Sequence, residues 1–277
     1  MLHQHLFRSI LAAWLILLAP SIWAATTLVA VAANFTKPMT EIAAEFEKAT
    51  GHTAKLSFGS SGKFVSQMEN DAPFEVFLSA DEKSALRLEQ SGFAVSGSLF
   101  IYALGKLVLW STTPGLVDEQ GKILSTGGFK HLALADPKLA PYGVAAMEVL
   151  KNLGLSEKLQ PLIVLGENIA QTQQFVSTGN AEVGFIALSQ VIGFDSAHPE
   201  NNGKASAPAH APYLHHVSKI GSGSGWIVPA DRHASIKQGA VLLTLGAENP
   251  AAKALIDFLK SASALAIIEK YGYDLPK

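Results

Sequence analysis

The residues of this chain that could do chemistry are concentrated in short turns rich in hydroxyls and glycine. Ser57-Phe58-Gly59-Ser60-Ser61-Gly62-Lys63-Phe64-Val65 reads as the end of a strand, a Gly/Ser turn and the first turn of a helix. The first N–H groups of a helix lack intrahelical acceptors and lie at the positive end of its dipole. Ser60, Ser61, Gly62 and Lys63 can therefore present several donors to an oxyanion without a metal or a catalytic group. The ordinary role of a serine at such a junction is to cap its own helix. The anion reading gains weight because the pattern recurs, at Asp136 to Gly143 and at Gly166-Glu167-Asn168 ahead of Ile169.

Catalytic constellations do not assemble. Gly59 to Lys63 is too short for a Gly-x-x-x-x-Gly-Lys-Ser/Thr phosphate loop, and there is neither a His-Glu-x-x-His pair nor a cysteine. Gly221-Ser222-Gly223-Ser224-Gly225 has Gly223 where a nucleophile elbow needs serine. A hydrolase using Ser60 or Ser61 needs a histidine in reach, and His52, His131 and His233 are the candidates outside a cluster of loop histidines. That cluster, His198, His210, His215 and His216, matches no familiar metal-ligand spacing. Asp81-Glu82 and Asp136 stand at strand-to-loop boundaries, where capping is the usual role of a carboxylate.

With 277 residues and 48% hydrophobic content the chain has enough length for a substantial core. A net charge of -2, with no basic run interleaved with aromatics, gives no footprint for nucleic acid. His3, His5 and Arg8 precede the apolar run Ile10 to Ala19, then Pro20 and a segment ending Trp23-Ala24-Ala25, which is the pattern of an export leader. Cleavage after Ala24 leaves 20 basic against 23 acidic residues in a chain expected to be periplasmic. The absence of cysteine excludes both disulfides and a lipid anchor on an N-terminal cysteine.

Around these turns the sequence predicts strand-helix repeats. Thr27 to Ala33 is an apolar strand, followed by a helix with Pro38 in its first turn and Met39, Ile42, Ala43 and Phe46 on one face before Gly51. Strands over Ala54 to Phe58 and Phe74 to Leu78 complete a β-α-β-α-β unit. In a parallel sheet of that kind the turns after Ala33 and Phe58 share the edge where open α/β sheets bind ligands. Tyr102 to Trp110 reads as one long strand. A second unit follows, with strands Leu132 to Ala135, Leu162 to Leu165 and Val183 to Ala187, and helices Val144 to Asn152 and Ile169 to Val176. Asp195 to Pro208 reads as a polar surface loop, Ala240 to Leu245 as a further strand, and two amphipathic helices precede the tail Tyr271-Gly272-Tyr273.

Taken together, Val31-Ala32-Ala33-Asn34-Phe35-Thr36-Lys37-Pro38-Met39, Ser57 to Lys63, Ala72 to Asp81, Ala135-Asp136-Pro137 with Pro141-Tyr142-Gly143, and Tyr271-Gly272-Tyr273 resemble the periplasmic molybdate-binding proteins. These are the ligand-capturing subunits of ATP-driven importers. The resemblance implies an α/β fold of the type II periplasmic binding protein class, two Rossmann-like lobes joined by two crossing segments near Leu99 to Ala103 and Ile236 to Ala240. It implies a leader at 1–24, a discontinuous first lobe at 25–102 and 237–277, and a second lobe at 103–236. It implies oxyanion contacts from Asn34, Ser61 and the Ala33 backbone on the first lobe, and from Tyr142 and the Ile169 N–H on the second. Many relatives carry Ser where this chain has Asn34, Tyr where it has Ala187 and Ala where it has Tyr142. The implied variant uses the Asn34 amide and the Tyr142 phenol as donors.

The expected ligand is molybdate or tungstate, with no other cofactor and no direct bond from protein to metal. The expected partner is an inner-membrane permease, and the mature chain is expected to be a monomer without membrane insertion. Protonated phosphate needs an acceptor in its site, whereas molybdate, tungstate and sulfate are dianions that need donors only. Sulfate, a phosphonate or another organic anion on the same scaffold is the alternative, a secreted serine hydrolase a remote one. The sensing half of a transcription regulator is disfavoured, because a leader and no DNA-reading helix pair precede the first strand.

Overall fold

A computed structural model describes residues 24–192 and 221–277. Most of the expected leader, and the expected surface loop with its four histidines, lie outside the described residues. β1 (Thr26–Ala32) is a β-branched and alanine-rich run whose Val29, Ala30, Val31 and Ala32 are fully buried, as befits a strand covered on both faces. It pairs in parallel with β2 (Thr53–Gly59) and β3 (Val76–Leu78), so that Val31 lies opposite Phe58 and Leu78. The helix Thr36–Thr50 returns between β1 and β2, burying Met39, Ile42 and Phe46 on one stripe, and ends at Gly51, whose φ of 73° suits a residue without a Cβ. Each of those large apolar side chains contributes roughly 1.5–3 kcal/mol by leaving water.

The first sheet has the order β2-β1-β3-β10-β4, with β4 spanning Phe100–Gly105 and β10 spanning Ile236–Leu242. The second has the order β7-β6-β8-β5-β9: β5 is Leu107–Ser111, β6 Leu132–Ala135, β7 Ile163–Gly166, β8 Val183–Ala187 and β9 Ser224–Ile227. Both sheets are mixed. β10 runs antiparallel to β3 and β4, and β5 antiparallel to β8 and β9. Helices flank both sheets, giving the two-lobed α/β architecture of a type II periplasmic binding protein.

Two expectations need correcting. Tyr102 to Trp110 is not one strand: β4 pairs with β10 in the first sheet, β5 pairs with β8 and β9 in the second, and the chain passes between lobes at Lys106. The expected crossings at Leu99 to Ala103 and Ile236 to Ala240 therefore fall inside strands of the first sheet, and the return crossing lies between Ile227 and Ile236. The apolar run is continuous across Lys106 because each half is buried in its own lobe, so hydrophobicity carries no mark of the break. Pro141-Tyr142-Gly143 is likewise not loop but the first turn of the helix Pro141–Asn152, with proline at a position where its missing N–H costs nothing.

Candidate functional site

Five junctions converge on a cleft between the lobes. It is lined by Ala32, Ala33 and Asn34 after β1, Gly59, Ser60 and Ser61 after β2, Ala80 after β3, Ala140, Pro141 and Tyr142 after β6, and Asn168 and Ile169 after β7. All five residues expected to touch an anion are therefore brought together there. Gly143 makes one of these approaches close, since a Cβ on it would run into the carbonyl of Ala135 at the end of β6. Among the described residues no histidine and no carboxylate lines the cleft.

The donors differ in what remains free. Ser61 is 1% exposed and its Oγ accepts the Ala80 N–H at 2.9 Å, which leaves its own proton available to a further acceptor. Ser60 stands at the N-cap of the helix Ser61–Met68, yet its side chain makes no capping bond and its buried Oγ has no partner. Of the other donors expected from this turn, the Gly62 N–H is given to the Leu139 carbonyl across the cleft at 2.9 Å, and Lys63 Nζ pairs with Glu167 at 2.6 Å. On the second lobe Asn168 caps the helix Ile169–Ser177, its side chain accepting from the N–H groups of Ala170 and Gln171 and leaving the Ile169 N–H to the cleft.

Asn34 and Tyr142 are placed differently from the expectation. Both amide protons of Asn34 are engaged within the protein, by Gln238 Oε1 at 2.8 Å and Tyr273 Oη at 2.9 Å, so what Asn34 leaves for the cleft is its main chain. The phenol of Tyr142 is buried and has no partner in good hydrogen-bond geometry; it lies beside Gly105 at the crossing and faces Gln238 and Tyr273. Burial, and then the neighbouring Tyr273 and Tyr102, push its pKa well up, so it stays protonated. Burial likewise raises Tyr273 to about 12 and raises Tyr102.

Sequence reasoning put Ser60 in the turn but not among the contacts, and missed Gln238 and Ser189 altogether. Ser60 was findable, as a serine whose neighbour already terminates the strand. Gln238 and Ser189 act on Asn34 from 204 and 155 positions away, and no local pattern marks them.

Comparison with known proteins agrees with this geometry. Residues 27–274 match the family model of bacterial extracellular solute-binding proteins. The chain is 51% identical over 259 residues to the molybdate-binding protein ModA of Azotobacter vinelandii, covering 94% of each chain. It is 49% identical over 250 residues to that of Rhodobacter capsulatus, covering 90% of this chain and 88% of the relative. A solved structure of the Azotobacter vinelandii periplasmic molybdate-binding protein superposes with a TM-score of 0.80 at 41% identity, covering 91% of this chain and 100% of that one. The chain therefore belongs to the bacterial extracellular solute-binding proteins, in the family of the molybdate-binding proteins.

Proposed function

We propose that this protein captures molybdate, and tungstate with it, between its two lobes and delivers the anion to an ATP-driven importer. It is a binding protein and performs no catalytic step. The observation that carries the reading is a cleft furnished with donors and, among the described residues, without acidic groups: the unpartnered hydroxyl of Ser60, the buried phenol of Tyr142, the remaining proton of Ser61, and N–H groups at the ends of Ala33-Asn34 and Ile169. A dianion satisfies them all, whereas a protonated phosphate would find no carboxylate among the described lining residues to accept its own proton. Neutral donors stabilise it without a buried countercharge. The small side chains Ala32, Ala33, Ala80 and Ala140 leave the walls close to the backbone, which favours a compact tetrahedral ion over an organic anion.

The leader at residues 1–24 sends the chain to the periplasm, where it works as a soluble monomer. Contacts from both lobes let the anion favour the closed arrangement, and closure is what the permease reads. The test is calorimetric titration of the mature, ligand-stripped protein with molybdate, tungstate, sulfate and phosphate in one buffer. One-to-one binding of the two larger oxyanions with little response to sulfate supports the proposal. Equal binding of sulfate removes the selectivity, and no binding removes the function.

A further inference from the structure

Ser189 belongs to the helix Leu188–Val191 that follows β8 of the second lobe, but its hydroxyl is spent on the first. Its Oγ donates to the main-chain carbonyl of Asn34 at 2.8 Å and lies 3.0 Å from the phenolic oxygen of Tyr273. Tyr273, in the tail after the last helix, donates to the same carbonyl at 2.9 Å and accepts one amide proton of Asn34; Gln238 of β10 accepts the other. Asn34, Ser189, Gln238 and Tyr273 are all at most 4% exposed. Without Ser189 the cluster is a self-contained unit of the first lobe. With it, one group from the second lobe is seated in that unit.

One backbone bond also crosses the cleft, from the Gly62 N–H to the Leu139 carbonyl at 2.9 Å, but the other side-chain contacts across it are weaker or wetter. Lys63 and Glu167 remain 52% and 47% exposed, and exposed pairs of this kind are largely screened. Lys37 Nζ reaches the Gln190 carbonyl only at 3.4 Å. Rotation of the lobes apart separates Ser189 from Asn34 and Tyr273, whereas the bonds among Asn34, Tyr273 and Gln238 travel together.

We propose that Ser189 is a latch for the closed state, received by the Asn34 carbonyl and the Tyr273 phenol, and that it sets how long the anion is held without touching it. The inference rests on the anion-binding reading above. Ser189 is thus a positioning residue whose removal shows in release and not in capture. Ser189→Ala leaves no buried group orphaned, because the Asn34 carbonyl still accepts the Tyr273 proton. Tyr273→Phe removes the phenol from both partners and loosens Asn34 as well.

The experiment loads the mature protein with molybdate, adds excess tungstate, and counts the molybdenum remaining on the protein with time. Association is followed separately by rapid mixing, and melting temperatures are taken on the loaded proteins. Ser189→Ala is expected to release molybdate about tenfold faster than wild type, the scale of one buried hydrogen bond, with association within about twofold. Tyr273→Phe is expected to speed release and also to slow association. Release from Ser189→Ala at the wild-type rate, or a loss confined to association, overturns the latch while leaving the binding function standing. A wild-type protein that takes up no molybdate overturns the binding function, and the latch's role in anion residence with it.

Discussion

Two junctions of the same design face each other across the cleft and are used in opposite ways. β2 ends at Gly59 and Ser60 precedes the helix Ser61–Met68; β7 ends at Gly166 and Asn168 precedes the helix Ile169–Ser177. Asn168 gives its side-chain oxygen to two N–H groups of its own helix, while Ser60 gives nothing to its helix and keeps a buried, unpartnered hydroxyl. On the anion-binding reading proposed above, a capping residue and a ligand donor occupy one structural position. The hydrogen bond that is missing distinguishes them, more than the residue type.

The largest effect is expected where the second lobe's approach is tightest. Gly143→Val forces a side chain into the Ala135 carbonyl and should cost about 3 kcal/mol or more, seen as a fall in denaturation midpoint together with lost binding. Next comes Ser61→Ala, which removes a donor to a charged ligand; affinity for molybdate should fall roughly 10- to 100-fold by calorimetry, and stability should fall by about 1–3 kcal/mol because the buried Ala80 N–H loses its acceptor. The comparison itself is tested by a crossed pair. Ser60→Ala should lower affinity about tenfold and leave the melting temperature in place. Asn168→Ala should lower stability by about 1 kcal/mol and affect affinity less. If Ser60→Ala melts like Asn168→Ala and binds like wild type, the two junctions are alike and the contrast is wrong.

The smallest effect near neutral pH concerns the phenols. Tyr273 is held at about 12 by burial, against 10 for a free tyrosine, so its contribution to stability is complete below about pH 10 and is lost as pH rises toward 12. Two units correspond to roughly 3 kcal/mol. Melting measured from pH 7 to 12 should be flat to about pH 10 and then fall, and Tyr273→Phe should fall less steeply. The same protonation argument predicts that anion affinity does not change between pH 7 and 9, because the protonated phenols flanking the cleft stay neutral.

The strand-helix repeats and all five expected cleft residues were legible because each rests on local cues: a β-branched run, a glycine or hydroxyl turn, a helical stripe. The first correction, at Lys106, concerns pairing; a strand's partner is decided by sequence far away, and Tyr102 to Trp110 is equally apolar on both sides of the break. The second, at Pro141, arose because proline and glycine together signal a loop, while proline at the first helical position and glycine under a carbonyl serve a helix start equally well. The Asn34 amide was misassigned for a third reason. Its partners Gln238 and Tyr273 lie 204 and 239 positions away, and an amide donates wherever the fold supplies an acceptor.

The place of β10 has a consequence for the order in which the molecule can assemble. It lies between β3 and β4, and the helices Pro250–Phe258 and Ala262–Lys270 and the tail pack on the same sheet. Asp274 then clips to β4, exchanging backbone bonds with Leu104 and pairing with Lys106 at 2.7 Å. The second sheet draws on an unbroken interval, β5 to β9, and can close while the chain is still being made. The first cannot: its opening strands must wait, with an unfilled place beside β3, until nearly the last residue is available. The lobe that begins the sequence is thus the lobe that finishes folding, and the segment that finishes it also carries the phenol receiving the latch.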